Sequence, residues 1–435
     1  MSIKIGTIGI IADDLTGAND TALQFHLSGC NTQILLDYST MPEGKANTQA
    51  WAISTETRNI SAADATKIVT NATKLLLDNL NIEYLYKKID STLRGNVGPE
   101  SLAVLNAMGW DAAVIVPAFP AEGRTTVGGY HLLKGVPIER TEVARDPQSP
   151  IFQSYVPALL KQQIEKPELV DMIQLATVMR GAGPILVELQ ELIKKNKKLI
   201  IIDAVSTTDL EQIALAIQKS NYNILPCGSA GLAQVLTKCW LPEVKHQHIT
   251  KVIPTLPIFI VVGSATEITK TQIKKLMESD EFEPSFIELT PQQVLTEPSE
   301  ELADRIIHDL GSDGIVLVHS APLEGDLNVT MEYANQQGIQ SENVPGIVSD
   351  FLANLTEKVV NKHSVILVTI GGETSYKCCN AIQSKHLQLI DEVEPAIPLC
   401  LDHAAQWIIT KSGNLGTPNT FINILKYFKK HQETK

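Results

Sequence analysis

At 435 residues, with 44% hydrophobic and 20% charged side chains, the chain can build two or three separate cores and is not a disordered polymer. A formal net charge of -13 excludes an extended basic field for nucleic acid or an anionic membrane surface, so any local basic cluster stands out. No apolar run approaches the ~20 residues that cross a bilayer. The six cysteines form no CxxC pair and read as buried free thiols, and the opening "MSIKIGTIGIIADD" is too short in its apolar core for a signal peptide, so the cytoplasm is the expected compartment.

From the N-terminus onward, strand-like runs alternate with helical patterns. "KIGTIGIIA" precedes a helix near "GANDTALQFHLSG", and "NTQILLD" and "AWAIST" lead into the helix "SAADATKIVTNATKLLLDNL". "IEYLYKKI", "DAAVIVPAF" and "KKLIIIDAV" continue the series. Between Glu122 and Pro150 the pattern breaks into Gly- and Pro-rich β-like pieces that predict an inserted hairpin. Residues 241 to 257, polar with three prolines, read as a linker, and "IFIVVGSA", "DGIVLVHSA", "SVILVTIGGETS" and "QWIITKSGNLG" then start a second series. The prediction is an α/β protein of two domains, 1–245 and 255–435. Each is a largely parallel sheet flanked by helices, with a β-hairpin insertion in the first.

Chemistry concentrates where predicted strands end, the position at which open α/β sheets bind ligands. Asp13 and Asp14 close the first strand ahead of a Thr16-Gly17 turn; adjacent carboxylates there can hold a divalent metal, take a proton, accept hydrogen bonds from hydroxyls, or simply cap the helix. Their adjacency departs from the D-x-D of haloacid-dehalogenase phosphatases. "YKKIDSTLRGNVGPE" is denser still. Alternation along the strand puts Lys88 and Asp90 on one face and Lys87 on the other, with Ser91, Thr92 and Arg94 in the turn. Cations beside a carboxylate and hydroxyls suit a small anion that carries hydroxyl groups. Arg58, after "AWAISTET", offers a second cation, and Arg124, Arg145 and Asp146 are weaker candidates.

In the second half, Gly263-Ser264, Gly371-Gly372 and Gly413 each follow an apolar strand, with Ser264 and Glu267 spaced as a capping box. Glycines at such junctions let a backbone approach phosphate, and helix N-termini aim free N–H groups at it. Neither GxxxxGK[ST] nor GxGxxG occurs, which excludes a P-loop kinase and a dinucleotide-binding dehydrogenase.

Taken together and in order, "ADDLTGAND", "KKIDSTLRGN", "GRTT", "GVPIERTEVARDP", "GGETS" and "KSGNLG" resemble the four-carbon acid sugar kinase family, over nearly the whole chain. The resemblance implies a sugar-acid domain followed by a nucleotide domain, and transfer of the ATP γ-phosphate to a hydroxyl of a four-carbon acid, with Mg2+ on the phosphates. It implies substrate contacts from Asp14, Arg58, Lys88, Asp90, Ser91, Thr92 and Arg94, with Asp14 and then Asp90 as the carboxylate that orients or deprotonates the hydroxyl. Nucleotide contacts would come from Ser264, Gly371, Gly372, Glu373, Thr374 and Gly413, while metal ligands stay unassigned. The wording is closer to threonate and erythronate kinases than to 3-oxo-tetronate kinases, which puts D-threonate first and D-erythronate second. The partners expected are a sugar acid and ATP, with room for a homodimer. A non-catalytic two-domain sugar-acid binding protein is the rival reading. One departure from the family pattern is "YKCCNAI" after the GGETS loop, bulkier and richer in cysteine than expected, which leaves that helix's packing open.

Overall fold

A computed structural model describes residues 7–39, 41–42, 47–146, 149–241, 252–311, 314–323 and 328–433. Contacts divide the chain into two compact units, Met1–Gln247 and His248–Lys435. Residues 242–251 of the expected linker lie outside the described residues.

In the first unit the main-sheet strands are β1 (Thr7–Ala12), β2 (Thr32–Leu35), β3 (Ala50–Ser54), β4 (Ile82–Lys88) and β5 (Ala112–Val116). After a three-stranded insertion of β6 (Arg124–Val127), β7 (Tyr130–Leu133) and β8 (Val136–Pro137) come β9 (Val170–Ile173), β10 (Leu199–Ile202) and β11 (Ile224–Gly228). The main sheet runs β2-β3-β1-β4-β11-β5-β10-β9, parallel throughout. Strands such as "AWAIS" and "AAVIV" are buried at every position because helices cover both faces, so they read as continuous apolar runs. β3 and β4 flank β1 on opposite sides, so the chain reverses its direction across the sheet at β1. Such a switch point opens a crevice at the carboxyl ends of the strands.

The insertion is an antiparallel meander with one more strand than the predicted hairpin. Its two-residue turns, Gly128-Gly129 and Lys134-Gly135, all have positive φ, the backbone of a tight hairpin turn. The buried Asp203 carboxylate accepts from Gly128 N (2.7 Å) and Gly129 N (3.0 Å) and so ties the first turn to the end of β10.

The second unit contains β12 (Ile258–Val262), β13 (Ser285–Glu288), β14 (Ile315–His319), β15 (Ile366–Ile370), β16 (His386–Glu394), β17 (Ile397–Asp402) and β18 (Trp407–Lys411). Their order is β13-β14-β12-β15-β18-β17-β16; the first five are parallel and β17 and β16 antiparallel. Alternate residues of β12 feed two cores. Ile258, Ile260 and Val262 pack with the helices Glu267–Met277 and Thr420–Glu433, and Phe259 and Val261 pack on the face covered by Val344–Lys362. "YKCCNAI" fits this packing, for Cys378 and Cys379 are fully buried and the Thr356 hydroxyl lies 3.4 Å from Cys378 Sγ.

Candidate active site

The parallel order β3-β1-β4 sets three strand ends side by side, and those ends and the loops leaving them carry all seven predicted substrate-side residues. The helix Leu15–Leu27 begins directly after Asp14, so Thr16 and Gly17 lie in its first turn, not in a turn before it. Asp14 caps this helix, Oδ1 accepting from Gly17 N at 2.8 Å and Oδ2 from the Thr16 hydroxyl at 2.5 Å. Capping is one of its roles, because Arg58 also bridges the aspartate pair: Nε to Asp13 Oδ2 and Nη1 to Asp14 Oδ2, both 2.7 Å.

Asp90 organises the loop after β4. Its Oδ2 accepts from the Thr92 hydroxyl (2.5 Å) and Arg94 N (3.2 Å), and Arg94 grips both its oxygens at 2.9 and 3.1 Å. Arg94 Nη1 reaches Asp146 Oδ2 at 2.8 Å, and Arg58 Nη2 lies 3.8 Å from Asp90 Oδ1. Ser91 offers its carbonyl to the buried His131, whose Nε2 donates at 2.8 Å while Nδ1 accepts from Thr126 at 2.9 Å. Burial holds that imidazole neutral, lowering it to about 4.

The two lysines part company. Lys87 is fully buried against Glu100 at 2.8 Å, an ion pair that locks β4 to the helix Val97–Met108. Lys88 lies on the opposite face, 4% exposed, with Nζ only 2.8 Å from where a Cβ on Gly17 would stand. Among the described residues its ammonium has no hydrogen-bond or ion-pair partner.

These neighbours set the protonation states. Burial alone would raise the Asp14 carboxyl, yet Arg58, Lys88 and the Thr16 hydroxyl outweigh it and hold Asp14 below the usual carboxylate range. Burial also works against Asp90, and the guanidiniums of Arg94 and Arg58 override it strongly. Two further carboxyls go the other way, and neither was singled out from sequence. Burial, reinforced by the Asp14 charge, pushes Glu56 up to about 8; burial, partly offset by Lys88, pushes Asp20 up to about 6. Glu56 is also held at φ 51°, a strained backbone for a residue with a side chain.

In the second unit, register explains the convergence: Val262 pairs with Ile370, and Ile370 with Lys411, so the three loops begin level with one another. A Cβ on Gly413 would stand 2.2 Å from Ser264 Oγ, and one on Gly263 2.0 Å from Thr374 Oγ1. The Thr266 and Thr269 hydroxyls donate to Gly413 O at 2.9 and 3.0 Å. Thr266, not Ser264, caps the helix Glu267–Met277. Gly371 supplies the left-handed backbone (φ 118°) and caps the helix Gly372–Ala381 without any side-chain hydrogen bond, which leaves first-turn N–H groups for an anion. Ser264, Gly371, Gly372, Thr374 and Gly413 thus gather round one helix N-terminus. Glu373 turns aside, Oε1 lying 3.3 Å from Lys377 Nζ. Lys411 is a missed feature: it is fully buried, donates to Ser412 O at 3.0 Å, and is lowered by burial to about 7.

Residues 8–236 match the family described as a sugar-binding N-terminal domain, and residues 259–421 the one described as a nucleotide-binding C-terminal domain. The chain is similar to a D-erythronate kinase of Heliobacterium modesticaldum, 30% identical over 97% of each chain. It is also similar to a D-threonate kinase of Salmonella typhimurium, 28% identical over 97% of this chain and 98% of the relative. A crystal structure of a Haemophilus influenzae protein shares the fold, with TM-score 0.73 and 23% identity over 97% of this chain and all of that one.

Proposed function

The chain belongs to the four-carbon acid sugar kinase family and is a sugar-acid kinase, and from that premise we propose that it phosphorylates D-threonate or D-erythronate with ATP by direct in-line transfer. The observation that carries the substrate side is the Lys88 ammonium, which has no hydrogen-bond or ion-pair partner among the described residues and lies beside carboxylates already held by arginines. An ammonium with no hydrogen-bonding partner in the protein is available to a substrate carboxylate, which would form a charge-assisted pair with it. Arg58 and Arg94 keep N–H groups in reserve and fix Asp14 and Asp90, whose oxygens, with the Ser91 and Thr92 hydroxyls, would receive the polyol. Asp14 then orients the attacking hydroxyl. Because Arg58, Lys88 and the Thr16 hydroxyl outweigh burial and keep it a weak base, orientation is the role that its surroundings support.

The nucleotide would lie on Ser264, Gly371, Gly372, Thr374 and Gly413, with Glu373 at the loop margin. Among the described residues no cluster of three or more His, Cys, Asp or Glu side chains could hold a metal ion. Mg2+ would arrive on the ATP phosphates, as suits an ion that keeps several waters and takes at most one or two protein carboxylates. There it would neutralise phosphate charge while the protein positions the reactants.

The test is ADP release with ATP and Mg2+ against D-threonate, D-erythronate and 3-oxo-tetronate. Turnover with either of the first two, with kcat/KM at least tenfold above the third, is expected. Preference for 3-oxo-tetronate overturns the substrate assignment. ATP stabilisation without turnover of any of them would favour the binding-protein alternative.

A further inference from the structure

We propose that Asp20 is a catalytic residue, the carboxylate that accepts the proton of the attacking substrate hydroxyl. This rests on the kinase reading above. The other carboxylates at the strand ends are held in ion pairs with arginine, and Asp20 is in none among the described residues: Asp13 pairs through Oδ2 with Arg58, its Oδ1 left without a partner, Asp14 with Arg58, Thr16 and Gly17 N, and Asp90 with Arg94, Thr92 and the loop backbone. Asp20 Oδ1 is shielded from solvent and has no hydrogen-bond partner. An orphaned buried acceptor is costly unless a ligand completes it.

Its position follows from helix geometry. Gly17 packs under Lys88 Nζ, and Asp20 stands three residues further on, one turn along the same face. Around it stand Lys88 and Tyr86 from β4, Glu122 and Arg124 from the segment entering the meander, and Asp14 at the cap of its own helix. The uncommitted cation and the uncommitted acceptor therefore share one face, as an acid carrying hydroxyls requires: carboxylate to Lys88, hydroxyl to Asp20.

The step balances simply. The hydroxyl proton passes to Asp20 Oδ1 while an oxygen lone pair forms the bond to the γ-phosphorus. The bond from that phosphorus to the bridging oxygen breaks, and its electrons leave on ADP. With burial placing Asp20 at about 6, it is mostly ionised at neutral pH yet more basic than Asp14. Glu56, at about 8, is mostly protonated there, and its Oε1 already accepts the Ser54 hydroxyl at 2.5 Å. It cannot take a second proton.

The experiment is the pH profile of kcat/KM from pH 5 to 8.5 for the wild-type full chain, Asp20→Asn and Asp20→Glu, with ATP, Mg2+ and the four-carbon acid that gives turnover. Wild type should lose activity on the acid side around pH 6. Asp20→Asn should lower kcat ~10²–10⁴-fold, with the acid limb gone and the sugar-acid KM within a few-fold. Asp20→Glu should keep a limb at a shifted position, which mere loss of packing would not do. Turnover by Asp20→Asn within tenfold of wild type, or with the limb intact, overturns the assignment. So does a wild-type profile flat from pH 5 to 7, which needs no variant to fold. Absence of turnover with every four-carbon acid removes the substrate reading and this proposal together, whereas turnover with an unaltered Asp20→Asn profile removes Asp20 alone.

Discussion

Side-chain identity and side-chain commitment carry different information, and the cations of the first unit show why. Lys87, Lys88, Arg58 and Arg94 look equivalent in a string of letters. In space Lys87 is spent on Glu100, and both arginines are largely spent on aspartates. Only long-range pairing reveals this, since Glu100 and Asp13 reach their partners through tertiary packing. Alternation along β4 did separate Lys87 from Lys88, so that part was legible. Lys88→Met keeps most of the buried stem and removes the charge, and a charge-assisted bond of this kind contributes about 1.5–3 kcal/mol. The sugar-acid KM should therefore rise roughly 10–150-fold, while the ATP dissociation constant, measured by calorimetry, stays within twofold. An unchanged sugar-acid KM would move the carboxylate elsewhere. Glu56 and Asp20 escaped notice for a related reason: burial sets their basicity, and no motif announces it.

At the scale of elements, strand ends were the readable quantity. Apolar runs bounded by Gly, Ser and Asp located β1, β4, β12, β15 and β18, and the parallel order then made neighbours of loops more than 140 residues apart, such as Gly413 and Thr266. Helix starts were less legible. The helix after β1 begins one residue before the Thr-Gly pair that reads as a turn, because Asp14 satisfies the Gly17 N–H from the cap position. The third meander strand is only two residues long, too short for alternation to mark it. Convergence of the second-unit loops predicts that Gly413→Ala, whose methyl would meet Ser264 Oγ, weakens ATP binding at least tenfold. The sugar-acid dissociation constant should not change. Equal loss of both ligands by calorimetry would mean that the change disturbs more than the nucleotide loop.

Across the whole molecule, the crowded carboxyls of the first unit set functional demand against stability, and Glu56 makes that cost measurable. Its ordinary value is 4.5 and its folded value about 8. Below pH 4.5 the carboxyl is protonated in folded and unfolded chains alike, so its contribution to stability is fully present. As pH rises from 4.5 to 8 the unfolded chain releases the proton and the folded chain retains it. The folded state then binds more protons, and stability falls with pH by at most about 1.4 kcal/mol per unit until the loss is complete above 8. The left-handed backbone at Glu56 adds a pH-independent penalty that glutamine would share. Glu56→Gln should therefore be close to wild type at pH 4.5 and progressively more stable than wild type up to pH 8. Three of the four tryptophans, Trp51, Trp110 and Trp240, lie in the first unit, so denaturant unfolding followed by tryptophan fluorescence reports mainly on it. A stability difference that stays constant from pH 4.5 to 8 would show that Glu56 ionises in the folded protein as it does in the unfolded chain. The strand ends would then carry a further negative charge beside Asp14.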